Sequence, residues 1–139
     1  MGADSFLTRS KGTSAEEAFQ DAVGRARHEH GHHGYTGTIA EKTRYLIIDE
    51  DLQSLTNRVA RAIDRVNRQP ATAYARETTR LYEQRLANLQ GIEAHALTPR
   101  SIADTLLLID DSRITDKWGP AGCLRAGNGE YVFFGWASL

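Results

Sequence analysis

The run Glu130-Tyr131-Val132-Phe133-Phe134-Gly135-Trp136 is apolar on both faces when extended. Tyr131 and Phe133 then point one way, and Val132, Phe134 and Trp136 point the other. A strand of this kind is predicted to lie inside a sheet that is covered on both sides. Gly127-Asn128-Gly129 just upstream supplies turn residues, and Cys123-Leu124-Arg125-Ala126 supplies a second arm. Together they predict a C-terminal β-hairpin. A second use of the same aromatics is also open. One face of the strand, or its edge, would dock a partner through Phe134 and Trp136, joined by Trp118 from the preceding turn.

The covering layers are legible upstream. Ala3 to Ser10 has partial alternation and is predicted as a strand. Thr13 with Glu16 three residues on has the pattern of a capping box. The segment that follows sets Ala15, Ala18, Phe19, Ala22, Val23 and Ala26 on one helical face, with Gly31 and Gly34 to end it. Tyr35 to Lys42 is a polar, glycine-containing connection with some strand character. Arg44 to Ile48 reads as a second strand. Asp49-Glu50-Asp51 then places carboxylates ahead of a helix over Leu52 to Arg68, whose apolar face is Leu55, Val59, Ala62, Ile63 and Val66. Pro70 ends or kinks that helix, and a further one runs from about Ala71 to Gln90. These two form either a hairpin or one bent rod. Thr98-Pro99 starts a short helix reaching about Leu108. The order β-α-β-α-α-α-β-β predicts an α+β fold. Its sheet is expected to be mostly antiparallel, with helices packed on it and a central Arg-rich helical pair.

At 139 residues the chain is expected to be a single domain spanning 1–139. One cysteine, Cys123, excludes an intrachain disulfide and suits a reducing cytoplasm. No apolar leader follows Met1, and the longest apolar run is Leu106-Leu107-Leu108-Ile109. That is far short of the ~20 residues of a membrane span. A cytoplasmic protein with no membrane partner is therefore expected.

The net charge of −1 argues against a uniformly basic nucleic-acid binder and against an acidic mimic of DNA. The total conceals a division. Residues 52–90 hold seven arginines against three acidic residues, while the flanking segments are both acidic. Arg58, Arg61, Arg65 and Arg68 share one stripe of their helix, and Arg76, Arg80 and Arg85 follow on the next. Arg58, Arg61, Arg65, Arg68, Arg76 and Arg80, with Trp118, Phe134 and Trp136, are the candidate partner-binding residues. Arginine suits bidentate contact with carboxylates or phosphates, so an acidic protein surface and a nucleic acid are both open as partners. A solvated helix face with local salt bridges is the plain alternative.

Metal chemistry has one candidate. His28, Glu29 and His32 match H-E-x-x-H, in which two histidines one helical turn apart bind metal and the glutamate acts as base. His28, His30 and His32 are the candidate ligands for a transition metal. Gly31 interrupts the pattern, and a solvated helix end rich in histidine is the alternative. No catalytic residues are assigned. Asp110, Asp111 and Asp116 read as turn formers.

Several stretches carry a resemblance: Met1-Gly2-Ala3-Asp4-Ser5-Phe6, His30-Gly31, Gly34-Tyr35-Thr36-Gly37-Thr38-Ile39-Ala40-Glu41-Lys42, Lys117-Trp118-Gly119-Pro120-Ala121 and Phe133-Phe134-Gly135-Trp136-Ala137-Ser138. They resemble small uncharacterised proteins carried by phages and mobile elements. In its size and its lack of an enzyme signature the chain is similar in kind to anti-CRISPR proteins. The resemblance implies a phage-type anti-defence inhibitor in the host cytoplasm. Such an inhibitor binds a bacterial protein complex stoichiometrically, here the subunits of a CRISPR effector, and blocks or displaces its subunits or nucleic acid. It transfers no functional residue. A nucleic-acid-binding module using the arginines, and a metal-dependent hydrolase using the histidines, are the alternatives.

Overall fold

A computed structural model describes residues 2–31 and 33–139. Among these residues the fold is α+β, with four α-helices and one four-stranded sheet. The chain gathers into two compact units. One combines the residues before Glu50 with Asp110–Leu139, and the other is Glu50–Ile109.

The first unit holds the sheet, with strands β1 (Ala3–Lys11), β2 (Tyr45–Ile47), β3 (Ala121–Gly127) and β4 (Glu130–Ser138) in the order β1-β4-β3-β2. β4 pairs antiparallel with β1 and β3, whereas β2 pairs parallel with β3. The sheet is therefore mixed, which corrects the expectation of a mostly antiparallel one. The reason lies in the connection. β2 and β3 are joined by residues 48–120, and a long crossover lets two strands run in the same direction. β4 is the interior strand expected from its sequence, with Val132, Phe133 and Phe134 fully buried. The β3–β4 turn is Asn128-Gly129, both at positive φ, as a tight two-residue hairpin turn requires.

Helix α1 (Ala15–His30) covers one face of the sheet. Its stripe of Ala18, Phe19, Ala22, Val23 and Ala26 packs with Phe6, Cys123, Phe133 and Ala137. Phe19, Tyr45 and Phe133 form the aromatic centre, with ring centroids 5.0–5.9 Å apart. The N-cap is Ser14, whose side chain accepts from the Glu17 amide. Thr13, expected to cap, instead donates to the Glu17 carboxylate. On the opposite face, the Phe134 ring lies so close to Gly122 across the strand pair that a Cβ there would sit 2.6 Å from it. Tyr35 to Lys42 forms no strand; it is a turn followed by a short 3-10 helix at Ile39–Glu41.

The second unit is helical, with α2 (Leu52–Asn67), α3 (Ala73–Gln90) and α4 (Pro99–Leu108). α2 and α3 pack side by side as a hairpin broken at Pro70, which settles the choice between hairpin and rod. Asp51 and Ser54 form a reciprocal capping box at the start of α2, and Thr98 caps α4 ahead of Pro99. No helix among the described residues is long and apolar enough to cross a membrane.

Candidate functional site

Two large aromatics stand out of the first unit. Trp118 is 59% exposed and Tyr35 is 55% exposed. Their rings meet edge to face, 6.4 Å apart at 87°. The Lys117 ammonium lies 5.5 Å from the centre of the Trp118 ring. Neither ring belongs to the core, yet both are held by buried or strained structure.

Trp118 sits in the turn Asp116–Gly119. The Asp116 carboxylate accepts from the Trp118 amide, and the Gly119 amide donates to the Asp116 carbonyl. This leaves three carbonyls of the turn facing inward, where Lys42 meets them. Lys42 is only 2% exposed. Its Nζ donates to the carbonyls of Gly119 at 2.9 Å, Lys117 at 3.2 Å and Asp116 at 3.3 Å. An ammonium has three N–H donors, and here each has an acceptor. Burial pushes the Lys42 amine down to about 8; the Asp116 charge works the other way and Arg44 adds to the depression.

Tyr35 has φ +59°, a left-handed conformation that is costly for an aromatic residue. Gly34 and Gly37 on either side also have positive φ. The turn is fastened by Glu41, whose Oε2 accepts from the Thr36 hydroxyl at 2.7 Å and its amide at 3.2 Å. The Thr38 hydroxyl continues the chain to Thr36 and accepts from the Ala40 amide. Burial acts to raise the Glu41 carboxyl, but these hydrogen bonds outweigh it and hold the group below its ordinary value. Gly37 is tied to the sheet by its amide, which donates to the Ser138 carbonyl at 2.8 Å.

The stretches Gly34–Lys42, Lys117–Ala121 and Ala137–Ser138 thus meet in one place. Among the aromatics read from the sequence as partner-binding, Trp118 is the one that belongs to this site. Phe134 is fully buried, so its ring is core and offers a partner nothing; this corrects its placement on a docking face. Trp136 is half-buried, with an indole nitrogen that has no hydrogen-bond partner among the described residues. Tyr35 and Lys42 carry no periodicity signal. What marks them is a tyrosine set between Gly34 and Gly37, and one of only three lysines in a chain that mostly uses arginine.

The arginine stripe lies in the second unit, and much of it is engaged there. Arg58 pairs with Glu50, whose side chain is only 1% exposed. Arg65 donates to the Ile109 carbonyl at the end of α4. Arg76 donates to the Ala71 carbonyl, Arg80 pairs with Glu77, and Arg85 donates to Thr105. Arg61 and Arg68 are exposed and have no such partner among the described residues.

The histidine run leaves the helix before its pattern is complete. α1 ends at His30, and Gly31 turns the chain away with φ +87°. His28 and His30 are exposed, and His30 lies 3.7 Å from Glu29. His32 lies outside the described residues. Among those described, no group of three His, Cys, Asp or Glu is placed to hold a metal. Asp111 and Asp116 act as turn formers, each accepting a backbone amide two residues on. Cys123 is buried, and burial pushes its thiol up to about 11.

Comparison with protein-family models, with curated proteins and with solved structures finds no match for this chain.

Proposed function

We propose that this chain is a stoichiometric binding protein of the anti-defence kind, which docks on a bacterial protein complex and blocks it. The candidate target is a multi-subunit CRISPR effector. One observation supports the reading above the others: the fold commits a buried ammonium and a left-handed tyrosine to presenting two aromatics that the core does not use. Binding energy at protein interfaces concentrates in a few aromatic and arginine anchors. A rigid Tyr-Trp pair with a cation on its rim matches that pattern, and prior ordering lowers the entropic cost of docking. Arg61 and Arg68, the cations of the arginine stripe without a side-chain partner among the described residues, are suited to acidic ground on the target.

The test is phage plating on a host with active CRISPR immunity. Expression of the chain should restore plaques, and the purified chain should co-elute with the effector at fixed stoichiometry. Trp118→Ala should lose both effects while keeping its fold by circular dichroism. Unrestored plating across hosts that carry different CRISPR types would remove the reading.

A further inference from the structure

The two edges of the sheet differ. On β1, the odd-numbered residues point their backbone groups away from β4, as shown by the even-numbered Gly2 and Gly12 bonding inward to Leu139 and Gly129. This outer edge is blunted by the protein's own side chains. The Ser5 amide donates to the Asp4 carboxylate at 2.9 Å, and the Arg9 carbonyl accepts from Arg25 at 2.9 Å. On β2 the inward bonds are those of Arg44 and Ile48, with the Ala121 amide donating to the Arg44 carbonyl and the Ile48 amide to the Cys123 carbonyl. In a parallel ladder this register turns the backbone groups of Tyr45 and Ile47 outward. No hydrogen bond occupies them among the described residues. The side chains beside them, Leu46 at 41% and Ile47 at 38%, are exposed on opposite faces. Though short, this apolar edge with open backbone groups is a template for another strand.

We infer that β2 is a docking edge, and that it takes an extended acidic segment of a protein partner as an added strand. This rests on the reading of the chain as a binding protein and specifies how the partner lies. Charge selects the occupant. Arg44 stands at the start of β2, exposed and without an ion pair among the described residues. Lys117 belongs to the turn that leads into β3 at the same end of the parallel pair. Carboxylates of the added strand would meet these cations, its backbone would bond Tyr45 and Ile47, and its alternate side chains would straddle Leu46 and Ile47.

The experiment titrates labelled protein with a blocked eight-residue peptide of alternating valine and glutamate, followed by amide NMR and hydrogen exchange. Protection of the Tyr45 and Ile47 amides is expected, with little response to the valine-lysine counterpart. Ile47→Pro removes one outward donor without touching a bond to β3, and should weaken the peptide about tenfold. Ile47→Ala keeps that donor and separates the backbone bond from the apolar contact; it should retain protection at Tyr45. Failure of the acidic peptide to protect Tyr45 and Ile47, or protection along β1 instead, overturns the proposal. Restored phage plating that survives Ile47→Pro but not Trp118→Ala would overturn the docking edge while leaving the binding function in place.

Discussion

Lys42→Met removes the ammonium that holds the Trp118 turn and keeps the length of the side chain. Two large effects oppose each other. The fall of the amine from 10.5 to about 8 means that holding this charge in the fold costs about 3 kcal/mol at neutral pH. Against that stand three charge-assisted hydrogen bonds. Of their acceptors, Gly119 lies in a buried residue, while Lys117 is half-buried and Asp116 is exposed. The last two carbonyls can take water when the amine is gone, so the uncompensated loss falls on Gly119, about 2 kcal/mol. Global stability should therefore change little, because the charge penalty disappears with the bonds. Local opening of the turn should become about thirty times more frequent. Trypsin reads that opening directly, since Lys117-Trp118 is a cleavable bond inside the turn. The rate of this cut, normalised to cleavage after Arg125 in β3, should rise by that factor in Lys42→Met, with a melting temperature within a few degrees of the parent. An unchanged ratio would refute the idea that Lys42 orders the turn. A collapse of the whole fold would show instead that the amine is part of the core.

The same amine gives a pH signature. Below about pH 8 it is charged both folded and unfolded; between about 8 and 10.5 the fold releases its proton first, so unfolding takes a proton up. Stability from this group should therefore rise across that window, by about 3 kcal/mol in total, and urea melts of Lys42→Met should lack this component. At Tyr35, Gly relieves the left-handed backbone while Ala retains it. Tyr35→Gly should melt no lower than Tyr35→Ala, although both lose the contact with Trp118; the reverse order would argue against strain at φ +59°. Arg58→Met should cost about 3 kcal/mol, because it removes the cation paired with the buried Glu50 carboxylate, whereas Arg61→Met should stay within about 0.5 kcal/mol. Equal melting temperatures for these two variants would place Arg58 among the surface residues.

Periodicity made the helices legible. The apolar stripe of α1 and the Thr98-Pro99 start of α4 appear where the spacing places them. The double-sided apolar character of Tyr131–Trp136 likewise located the interior strand. The direction of β2 was not legible, since three residues carry no signal of which neighbour they join or in which sense. The cap of α1 slipped by one residue because Thr13 and Ser14 both offer a hydroxyl, and it is Ser14, with an extended backbone, whose side chain accepts from the Glu17 amide.

The arginine stripe shows why a pattern of charge underdetermines a site. A shared helical stripe along α2 suggests equal roles, but the guanidinium groups differ in what they meet. Arg58 reaches a buried carboxylate, Arg65 reaches the terminal carbonyl of another helix, and Arg61 reaches none among the described residues. A guanidinium already committed to a buried acceptor cannot turn to a partner without leaving that acceptor unpaired, a cost comparable to what a new salt bridge returns. The stripe thus divides into residues that hold the helical unit together and residues that can meet acidic ground. The aromatic pair divides the other way: Trp118 and Tyr35 contribute little to the core, and the buried Lys42 and fastened Glu41 serve their placement. Residues that the fold supports without using are the better guide to where a partner would bind.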